Sequence, residues 1–206
     1  MAKAFLFSDL HSSMKQLSNI EVYLTNNKYD LIISAGDFVN MGEPVWFADK
    51  FINVIANLGM PFLWVPGNND FGRSYYKLNA KHKSLEGNVV KLLSRTFTGV
   101  GGSPASWAGQ YAGESMIDKK KIGGSIFVSH VPPPGILTLQ QKDLPTPPPK
   151  RRFSDSPLAH ICGHLHYRWG TAYLGQTKVI QLASLETGHY AIMNLETLAV
   201  EFRRFK

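Results

Sequence analysis

The sequence predicts an α/β fold, and three observations carry that prediction. Short unbroken apolar runs, as at Ala4–Phe7, Leu31–Ile33 and Phe62–Val65, alternate with segments whose apolar residues recur at helical spacing. A strand that is apolar at every position belongs in a sheet covered on both faces, and strand–helix–strand order makes such a sheet parallel. The 206 residues, 44% hydrophobic and 18% charged, suffice for one sizeable core and exclude disorder, collagen or coiled coil as a description of the whole chain.

The elements follow in order. After the strand Ala4–Phe7, the residues Met14, Leu17, Ile20, Val22 and Leu24 predict a helix, and Leu31–Ile33 closes a βαβ unit. A second helix is expected over Pro44–Leu58, with the proline in its first turn, and a strand over Phe62–Val65. A short helix at Arg73–Ala80 precedes two short strands, Val89–Leu93 and Thr96–Val100. Gly101-Gly102 and Gly123-Gly124 bracket a small-residue loop that carries Trp107 and Tyr111. Ser125–Ser129 and Leu158–Cys162 read as further buried strands. Between them, residues 131–157 hold eight of the twelve prolines, which excludes regular helix or central strand and predicts a long functional loop or lid. The remainder, Thr171–Leu174, Lys178–Leu182, Tyr190–Asn194 and Val200–Phe202, reads as an antiparallel meander. With no repeat and no linker, residues 1–206 are expected to form a single domain.

Composition narrows the chemistry. The single cysteine, Cys162, excludes an internal disulfide and a thiolate zinc site, and reads as a small buried residue. The N-terminal apolar run stops at Ser8-Asp9, short of the roughly 7–15 residues of a signal-peptide core, and no run reaches the ~18 apolar residues of a membrane span. A reduced, soluble, cytoplasmic protein without a membrane partner is therefore expected. The 22 Lys and Arg against 15 Asp and Glu give +7, which suits either an anionic partner or simple solubility.

Ligand-type residues recur just after the predicted strands: Asp9 and His11, then Gly36-Asp37, then Gly67-Asn68-Asn69-Asp70, then His130, then Gly163-His164-Leu165-His166. Ligands of open α/β sheets bind beyond the carboxyl ends of the strands, so five segments offering two Asp, one Asn and four His would converge on one crevice. Singly, each has another explanation. Asp9 suits a helix cap, the Gly-Asp and Gly-Asn pairs suit turns, and His130 suits a satisfied core position. Seven such donors after successive apolar strands are hard to attribute to caps and turns together.

In this order and spacing the motifs resemble the calcineurin-like metallophosphoesterases, over Asp9 to His166, about three-quarters of the chain. The resemblance implies a four-layer αββα sandwich with two divalent metals at the strand ends. One metal would take Asp9, His11, Asp37 and His166, the other Asp37, Asn68, His130 and His164, with Asp37 bridging. Imidazole and carboxylate donors suit Mn, Fe or Zn better than Ca or Mg, so manganese is expected foremost, with iron, zinc or nickel as substitutes. The implied reaction is hydrolysis of a phosphate ester by a hydroxide bridging the two metals, without a Ser or Cys nucleophile.

One position departs from the family's commonest third motif, Gly-Asn-His-Asp/Glu, whose His protonates the leaving oxygen. Here it is Asn69, which donates a hydrogen bond but no proton, so general-acid help of roughly 10²–10⁴-fold is missing. Asp70, which would orient that His, is left to hold Asn69 or a backbone group. Small bacterial and archaeal phosphoesterases resembling this chain also lack the His and favour diesters, so a phosphodiesterase with weak activity on alkyl monoesters is expected. His82 and His189 are candidate substitute acids, and Arg73 is a candidate phosphate contact near a helix N-terminus.

Basic residues cluster at Lys119–Lys121, Lys150-Arg151-Arg152 and Arg203-Arg204 with Lys206. The second cluster lies in the Pro-rich segment, where residues 140–155 are expected to form a rim or lid offering Lys150, Arg151 and Arg152 to an anionic substrate; a solvated loop is the alternative. Three function classes follow. The first is a di-metal phosphodiesterase on a small or nucleotide-like substrate. The second is a nuclease of the same chemistry, supported by the charge and by Tyr75, Tyr76 and Trp107 as stacking candidates. The third is a non-catalytic interaction module, as in the retromer subunit of this fold.

Overall fold

The computed structural model describes residues 1–42, 45–70, 81–102, 122–133 and 156–206. The apolar runs become strands buried along nearly their whole length: β1 (Lys3–Phe7), β2 (Leu31–Ser34) and β3 (Phe62–Trp64). Between them lie α1 (Met14–Asn26) and α2 (Val45–Asn57). Ser13, not Asp9, caps α1, its hydroxyl accepting from the Gln16 N–H. The helix buries Leu17, Ile20 and Leu24 at spacings of three and four, while Met14 and Val22 stay exposed.

The remaining strands are β4 (His82–Ser84), β5 (Val89–Leu92), β6 (Arg95–Val100), β7 (Ile126–Ser129), β8 (Ala159–Cys162), β9 (Gly170–Leu174), β10 (Thr177–Gln181), β11 (His189–Asn194) and β12 (Val200–Arg204). They complete two mixed six-stranded sheets, in the orders β12-β11-β1-β2-β3-β4 and β5-β6-β7-β8-β10-β9. Period-two alternation divides β1 between two cores. Phe5 and Phe7 join Leu17, Ile20 and Phe51 under the helices, while Ala4 and Leu6 join Val128, Ile161 and Ile180 between the sheets. The result is the expected α/β sandwich, with both described helices on the outer face of the first sheet. Among the described residues, no helix is long and apolar enough to cross a membrane.

Two expectations need correction. The C-terminal meander is two separate hairpins, β9–β10 in the second sheet and β11–β12 in the first. Alternation reveals that a segment is a strand but not which sheet it joins; β10 pairs parallel with β8, and a 3-10 turn at Leu185–Thr187 carries the chain across to β1. The strand β4 has no apolar run to announce it, since His-Lys-Ser pairs only as an edge beside β3. The expected helix at 73–80 lies outside the described residues, as does nearly all of the Pro-rich loop, of which only 131–133 and 156–157 are described.

Candidate metal centre

β1, β2 and β3 run parallel, as do β6, β7, β8 and β10 of the other sheet, so the loops after them share one rim. The two sheets are tied together there. Ala35 O accepts from His130 Nδ1–H at 2.7 Å, and the His164 N–H donates to Asp9 Oδ2 at 3.0 Å.

Five of the eight non-glycine residues with positive φ among the described residues lie on this rim: Asp9, His11, Ser12, Asp37 and His164, at φ 47–68°. Each such conformation costs about 1–3 kcal/mol and persists only where its surroundings over-determine it. Here they do. The N–H groups of Asp9, His11 and Ser12 donate to the carbonyls of Gly36, Asp37 and Phe38 at 2.8–3.1 Å. Asp9 O in turn accepts from the Glu186 N–H at 3.0 Å and Ser184 Oγ at 2.8 Å. Glycine is required where loops meet: a Cβ on Gly67 would run into the Asp37 carboxylate, and one on Gly163 into Ser8 Oγ.

The side chains then converge. Asp9 is fully buried, and its Oδ1 has no hydrogen-bond partner, yet it lies 3.5 Å from His166 Nε2 and 3.7 Å from His11 Nε2. Those two ring nitrogens are 2.9 Å apart. Asp37 Oδ2 lies 3.8 Å from His11 Nε2 and 3.4 Å from His130 Nε2, between the two histidine groups. Because Ala35 O can only accept, His130 carries its proton on Nδ1 and turns Nε2 toward Asn68 Oδ1 at 3.0 Å and His164 Nδ1 at 3.2 Å. Since β8 ends at Cys162 and His164 adopts φ 68°, the two histidines of the Gly-His-x-His motif serve opposite ends of the site. His164 faces His130, and His166 faces His11.

Atoms that act as acceptors when neutral or ionised thus face one another with few donors between them, an arrangement relieved by protons or by cations. The electrostatics follow. Burial pushes the Asp9 carboxyl up, but the His11 and His166 rings beside it hold it well below the usual carboxylate range. Burial opposes charge on His130 too, yet Asp37 with Asp9 raises it to about 9. His11 is raised by Asp9 against its burial, whereas His164 is lowered by burial and by His130. The field that draws protons onto these imidazoles also draws a divalent ion, for which the protons compete. Among the described residues, two groups have ligand atoms within 4.8 Å of one another, Asp9–His11–His166 and Asp9–Asp37–His130. The donor set fits metal, and the orphaned Asp9 oxygen is where one is needed.

Asn69 and Asp70 both bond to Asp37. The Asn69 N–H donates to Asp37 Oδ1 at 2.8 Å and its side-chain amide to Oδ2 at 2.9 Å. The buried Asp70 carboxylate accepts from the N–H groups of Asp37 at 2.7 Å, Gly67 at 2.8 Å and Phe38 at 3.1 Å, clamping the second and third loops together. Sequence reasoning missed the Ala35 carbonyl and the Ser184–Glu186 support of Asp9. Neither carries a motif, and the second lies some 175 residues away along the chain.

Cys162 is buried beside Gln181 Oε1 at 3.3 Å, and burial with Asp9 pushes its thiol up, so it supplies no thiolate. His82 pairs with Phe62 at the start of β3, away from the rim, and His189 stands beside Thr187 Oγ1 at 2.8 Å. Arg73, Lys150, Arg151, Arg152, Tyr75, Tyr76, Trp107, Lys119–Lys121 and the lid segment 140–155 lie outside the described residues.

Comparison with known proteins agrees with this geometry. The family model for calcineurin-like phosphoesterases matches residues 2–168. Among solved structures, the chain is similar to the protein TT1561 of Thermus thermophilus, with 13% identity, a TM-score of 0.74 and 98% of each chain covered. It is also similar to an archaeal phosphodiesterase, with 15% identity, a TM-score of 0.61, and 98% of this chain and 99% of that one covered. A dimetal phosphatase from Danio rerio shares 9% identity at a TM-score of 0.57, with 100% and 99% covered. At such identities the likeness is one of fold. A search of curated proteins finds no match.

Proposed function

This chain belongs to the calcineurin-like phosphoesterase family, and from that premise we propose that it is a di-metal hydrolase that acts on phosphodiesters in preference to monoesters. In this reading Asp9, His11, Asp37 and His166 hold one divalent ion, and Asp37, Asn68, His130 and His164 hold the other, manganese foremost. Bound there, such ions supply Lewis acidity and bring the pKa of water toward neutrality. The chain's own residues do the rest. Asp37 sets the spacing of the two donor groups, Ala35 O fixes the His130 tautomer, and Asp70 keeps both loops in register.

The observation that carries the diester preference is Asn69. Its side chain is committed to Asp37 Oδ2, and an amide has no proton to give a departing alkoxide. A diester with a good leaving group depends least on that proton. Such a substrate carries one negative charge at its phosphate, which a site with two carboxylates and two divalent ions attracts. The small nucleotide-like ester favoured by the chain's +7 charge fits the same chemistry.

The test is a panel of mono- and diesters assayed with the manganese-loaded protein beside Asp37→Ala. Bis(4-nitrophenyl) phosphate is expected to turn over faster than 4-nitrophenyl phosphate and much faster than alkyl monoesters, with all activity lost in Asp37→Ala. A monoester rate equal to or above the diester rate overturns the preference, and activity surviving in Asp37→Ala overturns the site.

A further inference from the structure

The rim that carries the metal donors continues into an apolar groove that the hydrolytic chemistry does not use. Trp169, Leu182, His189, Phe202 and Arg204 line it, where the residue preceding β9, an edge strand of the second sheet, meets β12, an edge strand of the first. The Trp169 indole is 52% exposed, stacked 6.3 Å from the His189 ring at 28° and tilted against Phe202 at 5.3 Å. A half-exposed tryptophan flanked by two rings offers aromatic surface on which a ligand ring can pack.

The cation beside it is available. Arg203 is tied to Glu201 through two 2.8 Å hydrogen bonds, whereas Arg204 spends its Nε on Thr187 O, and among the described residues no carboxylate pairs with it. Position completes the picture. Trp169 lies three residues after His166, and the β1–β11 register that sets Leu6 opposite Ala191 carries His189 to the level of Ser8, next to Asp9. With strands about 5 Å apart, β11 and β12 put the groove roughly 5–10 Å to the side of Asp9. That is the reach from a nucleotide's phosphate to its base.

We propose that this groove binds the base of a nucleotidyl ester, stacked on Trp169 with Arg204 donating to the hydrogen-bond acceptors on its edge, while the phosphate lies at the metal centre. The assignment rests on the phosphoester-hydrolase reading and names its substrate class. Stacking of a base on an aromatic side chain is worth roughly five- to 150-fold in affinity.

The test uses the full chain with adenosine 5′-monophosphate and, as the probe lacking a base, ribose 5-phosphate. Affinities come from calorimetry, and the Trp169 indole N–H resonance, identified by its loss in Trp169→Phe, reports contact. The mononucleotide is expected to shift that resonance and ribose 5-phosphate to leave it in place. Trp169→Ala should weaken mononucleotide binding at least fivefold without changing ribose 5-phosphate binding, and Trp169→Phe should restore most of the loss. Equal shifts with both ligands, or unchanged affinity in Trp169→Ala, overturn the proposal. Failure of the underlying reading looks different: a chain that hydrolyses no phosphoester while Trp169 still answers to the mononucleotide keeps the groove and loses the hydrolase.

Discussion

Replacing Asp70 with asparagine changes one atom in a fully packed place, so its cost can be worked from the hydrogen bonds. Oδ2 of Asp70 accepts from the N–H groups of Asp37 and Gly67, and Oδ1 from that of Phe38 at 3.1 Å, with Val39 further off at 3.4 Å. An amide keeps only one acceptor. Turned its better way, the new side chain in Asp70→Asn would hold Asp37 and Gly67 with its oxygen and set its NH₂ against the N–H of Phe38. That leaves the Phe38 N–H only its longer contact to Oδ2 at 3.3 Å, turns a donor toward the Val39 N–H, and weakens the charge-assisted bonds from Asp37 and Gly67 to neutral ones, so a loss of roughly 2–4 kcal/mol is expected. Chemical denaturation should show it as a lower midpoint with an unchanged slope. Because the same bonds hold Asp37 at its positive φ, manganese affinity measured by titration should fall in parallel. A variant within about 0.5 kcal/mol of the parent, the ordinary scatter of neutral substitutions, with metal affinity intact, would refute the clamp.

Other substitutions probe other contacts. Gly163→Ala drives a Cβ into Ser8 Oγ and should cost about 1–3 kcal/mol, with a loss of bound metal seen by elemental analysis; a variant of native stability and metal content would contradict the packing. His160 is fully buried beside Ser129 Oγ at 2.6 Å, and burial pushes it down from 6.5 to about 3. It stays neutral when folded but takes up a proton when unfolded below pH 6.5, so the stability it contributes above that pH is lost progressively as pH falls toward 3, about 2 kcal/mol of it by pH 5. His160→Gln should therefore lose less stability than the parent between pH 7 and pH 5, and equal losses in urea midpoints would exclude this assignment. Asn69→His supplies the missing acid and should raise alkyl monoester hydrolysis by tenfold or more, toward the roughly 10²-fold and above typical of general acids, while diester turnover changes little. An unchanged ratio of the two rates would remove Asn69 as the cause of the preference.

The strands β1, β2, β3 and β7 were legible because each is apolar through most of its length and gives way abruptly to polar residues. Leu31–Ser34 followed by Gly36-Asp37 shows both the strand and the ligand position in seven residues. The convergence of the candidate donors was legible for the same reason, since chain direction places the ends of the parallel strands on one rim. What periodicity could not carry was partnership. Nothing in Tyr190 or Val179 tells that one lies in the first sheet and the other in the second, because that choice depends on a crossing at Leu185–Thr187. For Asp70 the sequence left two uses open, holding Asn69 or a backbone group, and the structure shows the second. What sequence could not tell is which backbone groups: the N–H groups of Asp37 and Phe38 come from another loop and meet the carboxylate beside that of Gly67.

The support of Asp9 by residues 184 and 186 has a consequence for how the centre matures. β1 sits between β2 and β11, and Lys3 pairs with Asn194, so this strand is completed by one some 190 residues further along the chain. Such pairing is slow to close, because the entropy of a long loop is lost before the contact is gained. Asp9 therefore acquires its final backbone only after the C-terminal hairpin docks. Until residues 184–194 dock, the histidines are present without the backbone geometry that brings their rings together beside Asp9.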